Sequence, residues 1–315
     1  MTSGARLHKK APSFWGKYSE PSAKIQARII QELRQTFRLT LLLKVTGMPK
    51  STYMYWQKRL DMPLPSDDLE TVIQSIYEEN NQDYGYRRIG LALRKRGILV
   101  NHKKILKITR KLGLLCTKYT RKSRKKYRAY KGKVGTIAPN KIRRRFQTSY
   151  YYQKLTTDIT EFKVGTGQKL YLSPIMDMGT GEIISYQMNE RPNLAFVLET
   201  LEQALQIVLP HAPYRVTIHS DQGWHYQHKK WVSLLKKNKV YQSMSRKGNC
   251  LDNSPMENFF GLLKQEMYYG CVFKTYRELK QAIHAYIDYY NHRRIKLKLA
   301  GLSPVEYRLQ ASQEV

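Results

Sequence analysis

"KLTTDITEFKVGTGQKLYLSPIMDMGTGEIISYQMNE", residues 154–190, is the stretch on which the fold turns. It divides into three extended segments, 154–164, 169–178 and 183–190, separated by the glycine turns GTGQ and GTGE. Consecutive strands joined by tight turns have this pattern. Beyond it the period alternates: NLAFVLETLEQALQIVL (193–209) reads as a helix, YRVTIHSD (214–221) as a strand and HKKWVSLLKKN (228–238) as a helix. VYQSMS (240–245) is then a strand and SPMENFFGLLKQEMY (254–268) a helix. A meander of three strands followed by alternating helix and strand predicts an α/β fold, a mixed sheet with flanking helices. YRELKQAIHAYIDYYNHRR (276–294) reads as one more amphipathic helix, followed by an extended tail ending in LSPVEYRLQ.

Upstream of this region the chain is helical. Residues 25–60 read as helix, turn and helix, with Ser51 expected to cap a helix after the break at Gly47–Pro49. A second helical group, DLETVIQSIYEEN, YRRIGLALRKRG and NHKKILKITRKLG, follows the punctuation MPLPSDD. In its last member Ile105, Ile108 and Leu112 recur at helical spacing, whereas Lys103, Lys104, Lys107, Arg110 and Lys111 lie mostly elsewhere around the helix. The pattern is that of a helix-turn-helix DNA reader, and equally of two amphipathic helices in any bundle. The expected segments are an N-terminal helical unit (1–62), a helix-turn-helix-like DNA-binding domain (67–126), a basic linker (127–150), a catalytic core (151–270) and a C-terminal helix and tail (271–315).

Charge narrows the partner. The 315 residues hold 56 Lys and Arg against 24 Asp and Glu, a formal charge of +32, which points to a polyanion. Residues 1–150 carry 35 basic and 9 acidic side chains, and 151–315 carry 21 and 15. Between Asp83 and Asp158 there are 24 basic residues and no acidic one. The run YTRKSRKKYRAYKGK, with Arg124, Lys125 and Lys126, suits phosphate contacts with occasional aromatic stacking, or else a solvated linker. Cys116, Cys250 and Cys271 are widely spaced and form no zinc-type pattern with His, which fits a reducing cytosol. The start of the chain has no apolar signal-peptide core, and no apolar run approaches the ~20 residues needed to cross a bilayer, so no membrane is expected.

Three carboxylates stand out in the C-terminal half. Asp158 lies inside the first extended segment, where Asp is disfavoured. Asp221 ends a strand, at the kind of edge where open α/β sheets bind ligands, although an Asp there can simply start a turn. Glu257, in SPME, is by itself best read as the third position of a capping box, with Ser254 as the cap and Pro255 first in the helix. Together the three can converge on one sheet edge and hold two divalent cations, and a donor set of oxygens alone selects Mg²⁺ or Mn²⁺. Two such ions suit phosphodiester chemistry. Lys264, two helical turns past Glu257, shares its face and can hold a phosphate, or be an ordinary exposed lysine.

TTDITEF, HSDQGWHYQH and SMSRKGNCLDNSPMENFFGLLKQE resemble the three motifs of bacterial insertion-sequence transposases of the insertion-sequence-three family, nearest its one-fifty-like subgroup. The 35 residues between Asp221 and Glu257 match the spacing of that family. The resemblance implies an RNase H-like integrase catalytic core with Asp158, Asp221 and Glu257 as metal-binding catalytic triad. It further implies Lys264 as a substrate-DNA contact and cleavage and joining by direct transesterification. The expected partners are the terminal inverted repeats of the element and target DNA, with the protein a homo-oligomer on DNA in the bacterial cytosol. Arg246 and Lys247, in a cationic loop beside the triad, join the candidate DNA contacts. Two other functions share parts of this pattern: a non-catalytic DNA-binding regulator, which needs no metal, and an RNase H-like nuclease, which cuts without joining.

Overall fold

The computed structural model describes residues 22–60, 66–116 and 135–313, so Arg124, Lys125 and Lys126 lie outside the described residues. The chain divides into two compact units, up to Val72 and from Ile73 onward.

The first unit holds three helices, α1 (Ala23–Leu33), α2 (Leu39–Thr46) and α3 (Lys50–Leu60), where helix, turn and helix was expected: the apolar segment between the outer two is itself helical. Ala27, Ile30, Leu42, Met48 and Tyr53 close a small core between them. The Tyr53 hydroxyl donates to Gln31 Oε1 at 2.6 Å, so the buried phenol is satisfied. Ser51 is not the cap expected of it. Gly47, at φ +71°, ends α2 in the left-handed conformation, and α3 already begins at Lys50, which places Ser51 inside the helix.

The second unit opens with the rest of α4 (Ser66–Glu79), then α5 (Tyr86–Lys95) and α6 (His102–Lys111). The Asn101 side chain caps α6 by accepting from the Lys103 N–H. Ile105 and Ile108 are buried, and Lys103, Lys104, Lys107, Arg110 and Lys111 are all exposed, as the periodicity required.

The sheet follows, with β1 (Lys154–Thr157), β2 (Thr160–Val164), β3 (Gln168–Asp177), β4 (Ile183–Asn189), β5 (Thr217–Ser220) and β6 (Tyr241–Met244). Its order is β2-β3-β1-β5-β6, with β4 on the other side of β3. The meander pairs are antiparallel, whereas β1–β5 and β5–β6 are parallel. This is the α/β mixed sheet expected from the sequence.

The first extended segment is divided, however, into β1 and β2, with Asp158 and Ile159 between them. Both halves keep one antiparallel register on β3, Thr157 opposite Ile175 and Thr160 opposite Leu172. Carried through the gap, that register puts Pro174 opposite Asp158. Pro174 has no N–H to give the ladder, and its carbonyl, on the same side, accepts from the Thr157 hydroxyl at 2.9 Å. The sequence itself therefore cuts the strand at Asp158.

One face of the sheet packs on α7 (Leu194–Val208) and α9 (Lys229–Lys237). Leu155, Ile175 and Ile218 from the strands meet Phe196, Leu201, Leu205 and Trp231 there. The short helix α8 (Trp224–Gln227) precedes α9. The opposite face receives α10 (Ser254–Leu263), which runs into a π-helical turn, Lys264–Tyr268, and is followed by α11 (Tyr276–His292). The expected extended tail is instead a helix, α12 (Pro304–Gln313). Its start is a closed capping box: the Glu306 N–H donates to Ser303 Oγ at 3.3 Å and the Ser303 N–H to Glu306 Oε2 at 2.7 Å, with Pro304 first in the helix. Among the described residues no helix is long and apolar enough to cross a membrane.

Residues 135–150, expected as linker, are bonded to the core: the Lys141 and Ile142 N–H groups donate to Ser243 Oγ at 2.9 and 3.4 Å.

Candidate active site

The sheet register brings Asp158 and Asp221 together. Lys154, Leu155 and Thr156 of β1 lie beside Thr217, Ile218 and His219 of the parallel strand β5. Continued past both carboxyl ends, this register sets Asp158 beside Asp221, on neighbours ~4.8 Å apart. Side chains alternate across a sheet. Leu155 and Ile218 point to the α7 side, so Thr156 and Asp158, and His219 and Asp221, share the α10 side.

α10 is tied to the same place. The Asn253 side chain accepts from the Thr156 hydroxyl and donates to the Thr157 carbonyl at 3.2 Å, which fixes the helix start against the end of β1. The expected capping box does not form here. Ser254 is itself helical, Asn253 occupies the cap position without a side-chain cap, and Glu257 sits in the first turn.

Asp158, Asp221 and Glu257 are each half-buried. Burial raises the Asp158 pKa well above the ordinary carboxylate range. The Asp221 and Glu257 charges push it further, against a backbone bond from Ile159 and the Lys264 ammonium. Burial also raises Asp221, against the Gly223 N–H, which donates to its Oδ1 at 2.8 Å. A Cβ at Gly223 would come within 2.9 Å of that oxygen, so a larger residue there would push the carboxylate from this position. Lys264 begins the π-helical turn and lies with its ammonium 5.2 Å from the Phe162 ring centroid. Among the described residues no three His, Cys, Asp or Glu side chains lie close enough together, as placed, to hold a metal ion. The Asp221 and Glu257 charges both act on Asp158, and carboxylate oxygens as donors suit a hard divalent cation better than any soft metal.

Arg246 is occupied within the protein. Its Nε and a terminal nitrogen each reach the buried Asp252 carboxylate at 2.9 Å, and its N–H does so at 3.1 Å. Arg144 Nε adds a bond of 2.8 Å and Asn140 one of 3.1 Å. Lys247 is exposed, as expected of a candidate DNA contact. Asp252 was not legible in GNCLDN, which reads as loop chemistry. His219 was missed too: it is buried between Ser243 Oγ at 2.9 Å and Ser245 Oγ at 3.0 Å, and burial lowers its pKa to about 4, so it is neutral at pH 7. An apolar strand pattern offers no sign of such a pair of partners.

Models described as integrase core domain match residues 151–250 and 257–311, and one described as HTH-like domain matches 65–123. The putative transposase InsK for insertion sequence element IS150 of Escherichia coli is 45% identical over 283 residues, covering 90% of this chain and 98% of its own. An uncharacterized transposase-like protein of Haemophilus influenzae is 49% identical over 214 residues, 68% of this chain and 95% of its own. Among solved structures, the HTLV-2 integrase catalytic core domain in complex with magnesium matches 50% of this chain and 97% of its own, at 13% identity and a TM-score of 0.38. The chain belongs to the insertion-sequence-three family of transposases, as a relative of the IS150 element's protein with an integrase core.

Proposed function

We propose that this protein binds the terminal inverted repeats of its own insertion sequence and catalyses metal-dependent strand cleavage and strand transfer, with Asp158, Asp221 and Glu257 as the catalytic carboxylates. The observation that carries this reading is the pairing of Asp158 with Asp221 at the carboxyl ends of adjacent parallel strands, with Glu257 close enough to raise the Asp158 pKa. The carboxylates would hold Mg²⁺ or Mn²⁺, two ions in the full site; when bound, such ions activate an attacking water or 3′-hydroxyl and stabilise the leaving oxygen.

The chain's own residues do the rest. Lys264, beside the acidic group, orients a phosphate of the reacting strand. Gly223 holds the Asp221 carboxylate, and Asn253 holds the start of α10 against β1. Lys103, Lys104, Lys107, Arg110 and Lys111 of α6, with Lys247 near the site, contact DNA phosphates, and the protein works as a homo-oligomer on its two ends. Arg246 serves Asp252 first, which leaves it a minor part in DNA binding.

The test uses DNA carrying the element's end and a target oligonucleotide. A joined product should form with Mg²⁺ or Mn²⁺ and vanish with EDTA, and Asp221→Asn or Glu257→Gln should abolish it while end binding persists. Cleavage without any joined product would instead identify a nuclease, and full activity of either variant would remove its residue from the triad.

The exposed face of α6 gives a separate expectation. Lys103→Ala and Lys107→Ala should each reduce the slope of log K against log [salt] by about 1, uniformly across DNA sequences, as loss of a phosphate contact does. Fluorescence anisotropy at several salt concentrations measures it, and an unchanged slope would take these lysines off the DNA.

A further inference from the structure

The turn that succeeds α10 is anchored at both ends. Glu266, inside the π-helical turn Lys264–Tyr268, has a fully buried side chain. It accepts from Arg294 Nε at 2.8 Å, from a second Arg294 nitrogen at 2.5 Å and from the Tyr286 hydroxyl at 2.8 Å. Arg88 of α5 brings its guanidinium to 3.8 Å from the same carboxylate. Tyr84, just before α5, accepts from the Ile295 N–H at 2.8 Å and donates to the Arg293 carbonyl at 3.3 Å. At the far end of the turn, the Tyr268 hydroxyl accepts from the Lys163 N–H at 2.9 Å and donates to the Lys163 carbonyl at 3.0 Å, so it covers the edge strand β2.

A buried ion pair is an expensive way to fill space, because two apolar side chains of like volume stabilise as well or better. A paired, multiply bonded carboxylate adds direction. A π-helical turn also displaces the downstream chain from the α-helical path, and such turns recur at functional sites. Lys264 is the first residue of this one, and its charge acts on Asp158.

We propose that Glu266 is a positioning residue. Its pair with Arg294 fixes the π-helical turn so that Lys264 faces the acidic group, and Arg88 links that turn to the helix-turn-helix-like region. This rests on the reading of the site as a strand-transfer centre. DNA held by α6 and its partner α5 would then steady the lysine that meets the reacting phosphate.

The buried pair itself is a poor target, since Glu266→Gln strands Arg294 in the core. Two milder variants leave the Glu266–Arg294 pair in place: Tyr286→Phe, which removes one bond to Glu266, and Arg88→Ala, which removes the link to α5. The expected result is a kcat for strand transfer lowered roughly 10- to 100-fold, the range expected from displacing a reacting group by up to an ångström, with KM for end DNA and Tm little changed. Labelling the full-length protein with an acetylating reagent and reading Lys264 by mass spectrometry should show it more reactive in both variants. Unchanged kcat and unchanged Lys264 reactivity would overturn the proposal. So would a loss of activity that tracks a fall in Tm and in end binding, which is the signature of a merely structural role. If the wild-type protein joins no DNA, the strand-transfer reading fails, while the Lys264 labelling still decides whether Glu266 positions it.

Discussion

Asp158→Asn should abolish strand transfer and at the same time make the metal-free protein more stable at neutral pH. The two effects have one cause. The Asp158 pKa is raised by burial, by Asp221 and by Glu257, so the folded protein disfavours the carboxylate that the unfolded chain accepts readily. A carboxyl whose folded pKa is raised contributes stability that is complete below the unfolded value and is lost as pH rises through the folded value. At pH 7 folding the metal-free protein therefore costs free energy at this carboxyl, either in holding the charge or in taking up a proton, and the amide removes that cost. Each pKa unit corresponds to ~1.4 kcal/mol, and in a unit of this size each kcal/mol moves Tm by roughly 2–4 °C. Melting curves without metal should show the variant above wild type at pH 7 and level with it in acid. Mg²⁺ or Mn²⁺ should raise the wild-type Tm and leave the variant nearly unmoved. Activity should fall on the order of 1000-fold or more, since charge neutralisation by a bound ion is worth several kcal/mol. A variant less stable than wild type at pH 7 without metal would show that Asp158 is a structural hydrogen-bonding group.

Two stretches of the sequence have the same form, Ser-Pro-x-Glu, and fold differently. At Ser303–Glu306 the capping box closes with both of its bonds. At Ser254–Glu257 it does not: Asn253 takes the cap position, and its side chain is drawn away to Thr156 and Thr157 of β1. Local sequence could not separate the two, because the deciding partners lie about a hundred positions away along the chain. The strands and helices of the core were legible because their apolar periods match the faces they bury. The break of the first strand was legible in principle, since Pro174 is in plain view, but it needs the register on β3 to connect it with Asp158. The pairing of Asp158 with Asp221 likewise depends on which strands neighbour each other. That comes from the resemblance of the motifs to known transposases, and from no periodicity. The Asp252 and Glu266 clusters were hidden for a further reason: their arginine partners had other readings, Arg144, Arg88 and Arg294 as part of the general positive charge and Arg246 as a candidate DNA contact.

Asp252→Asn is the mirror experiment, the same chemical change with the opposite sign. Arg246 bonds the Asp252 side chain and, with Arg144 and the Arg246 N–H, holds its pKa far below the usual carboxylate range, against the penalty of burial. A depressed carboxyl contributes stability that is present above the unfolded pKa and is lost as pH falls through the folded one. At pH 7 the whole of that contribution is in place, so the amide should destabilise. Both arginines are substantially exposed and can return to water when released, which argues against the full cost of a stranded buried charge. About 1–3 kcal/mol is the expected loss, that of charged hydrogen bonds to a buried acceptor. The difference from wild type should shrink as pH drops toward the folded value, and it should be insensitive to divalent cations. Activity should fall as well, because Asp252 is followed directly by Asn253, whose side chain holds α10 and Glu257 against β1. A shift of that helix by up to an ångström costs up to the order of 100-fold in rate. Thermal melts of the two Asp→Asn variants from pH 3 to 8, with and without Mn²⁺, check both expectations together. If Asp252→Asn melts with wild type at pH 7, or regains its stability when Mn²⁺ is added, Asp252 belongs with the acidic site and not with the clamp that builds it.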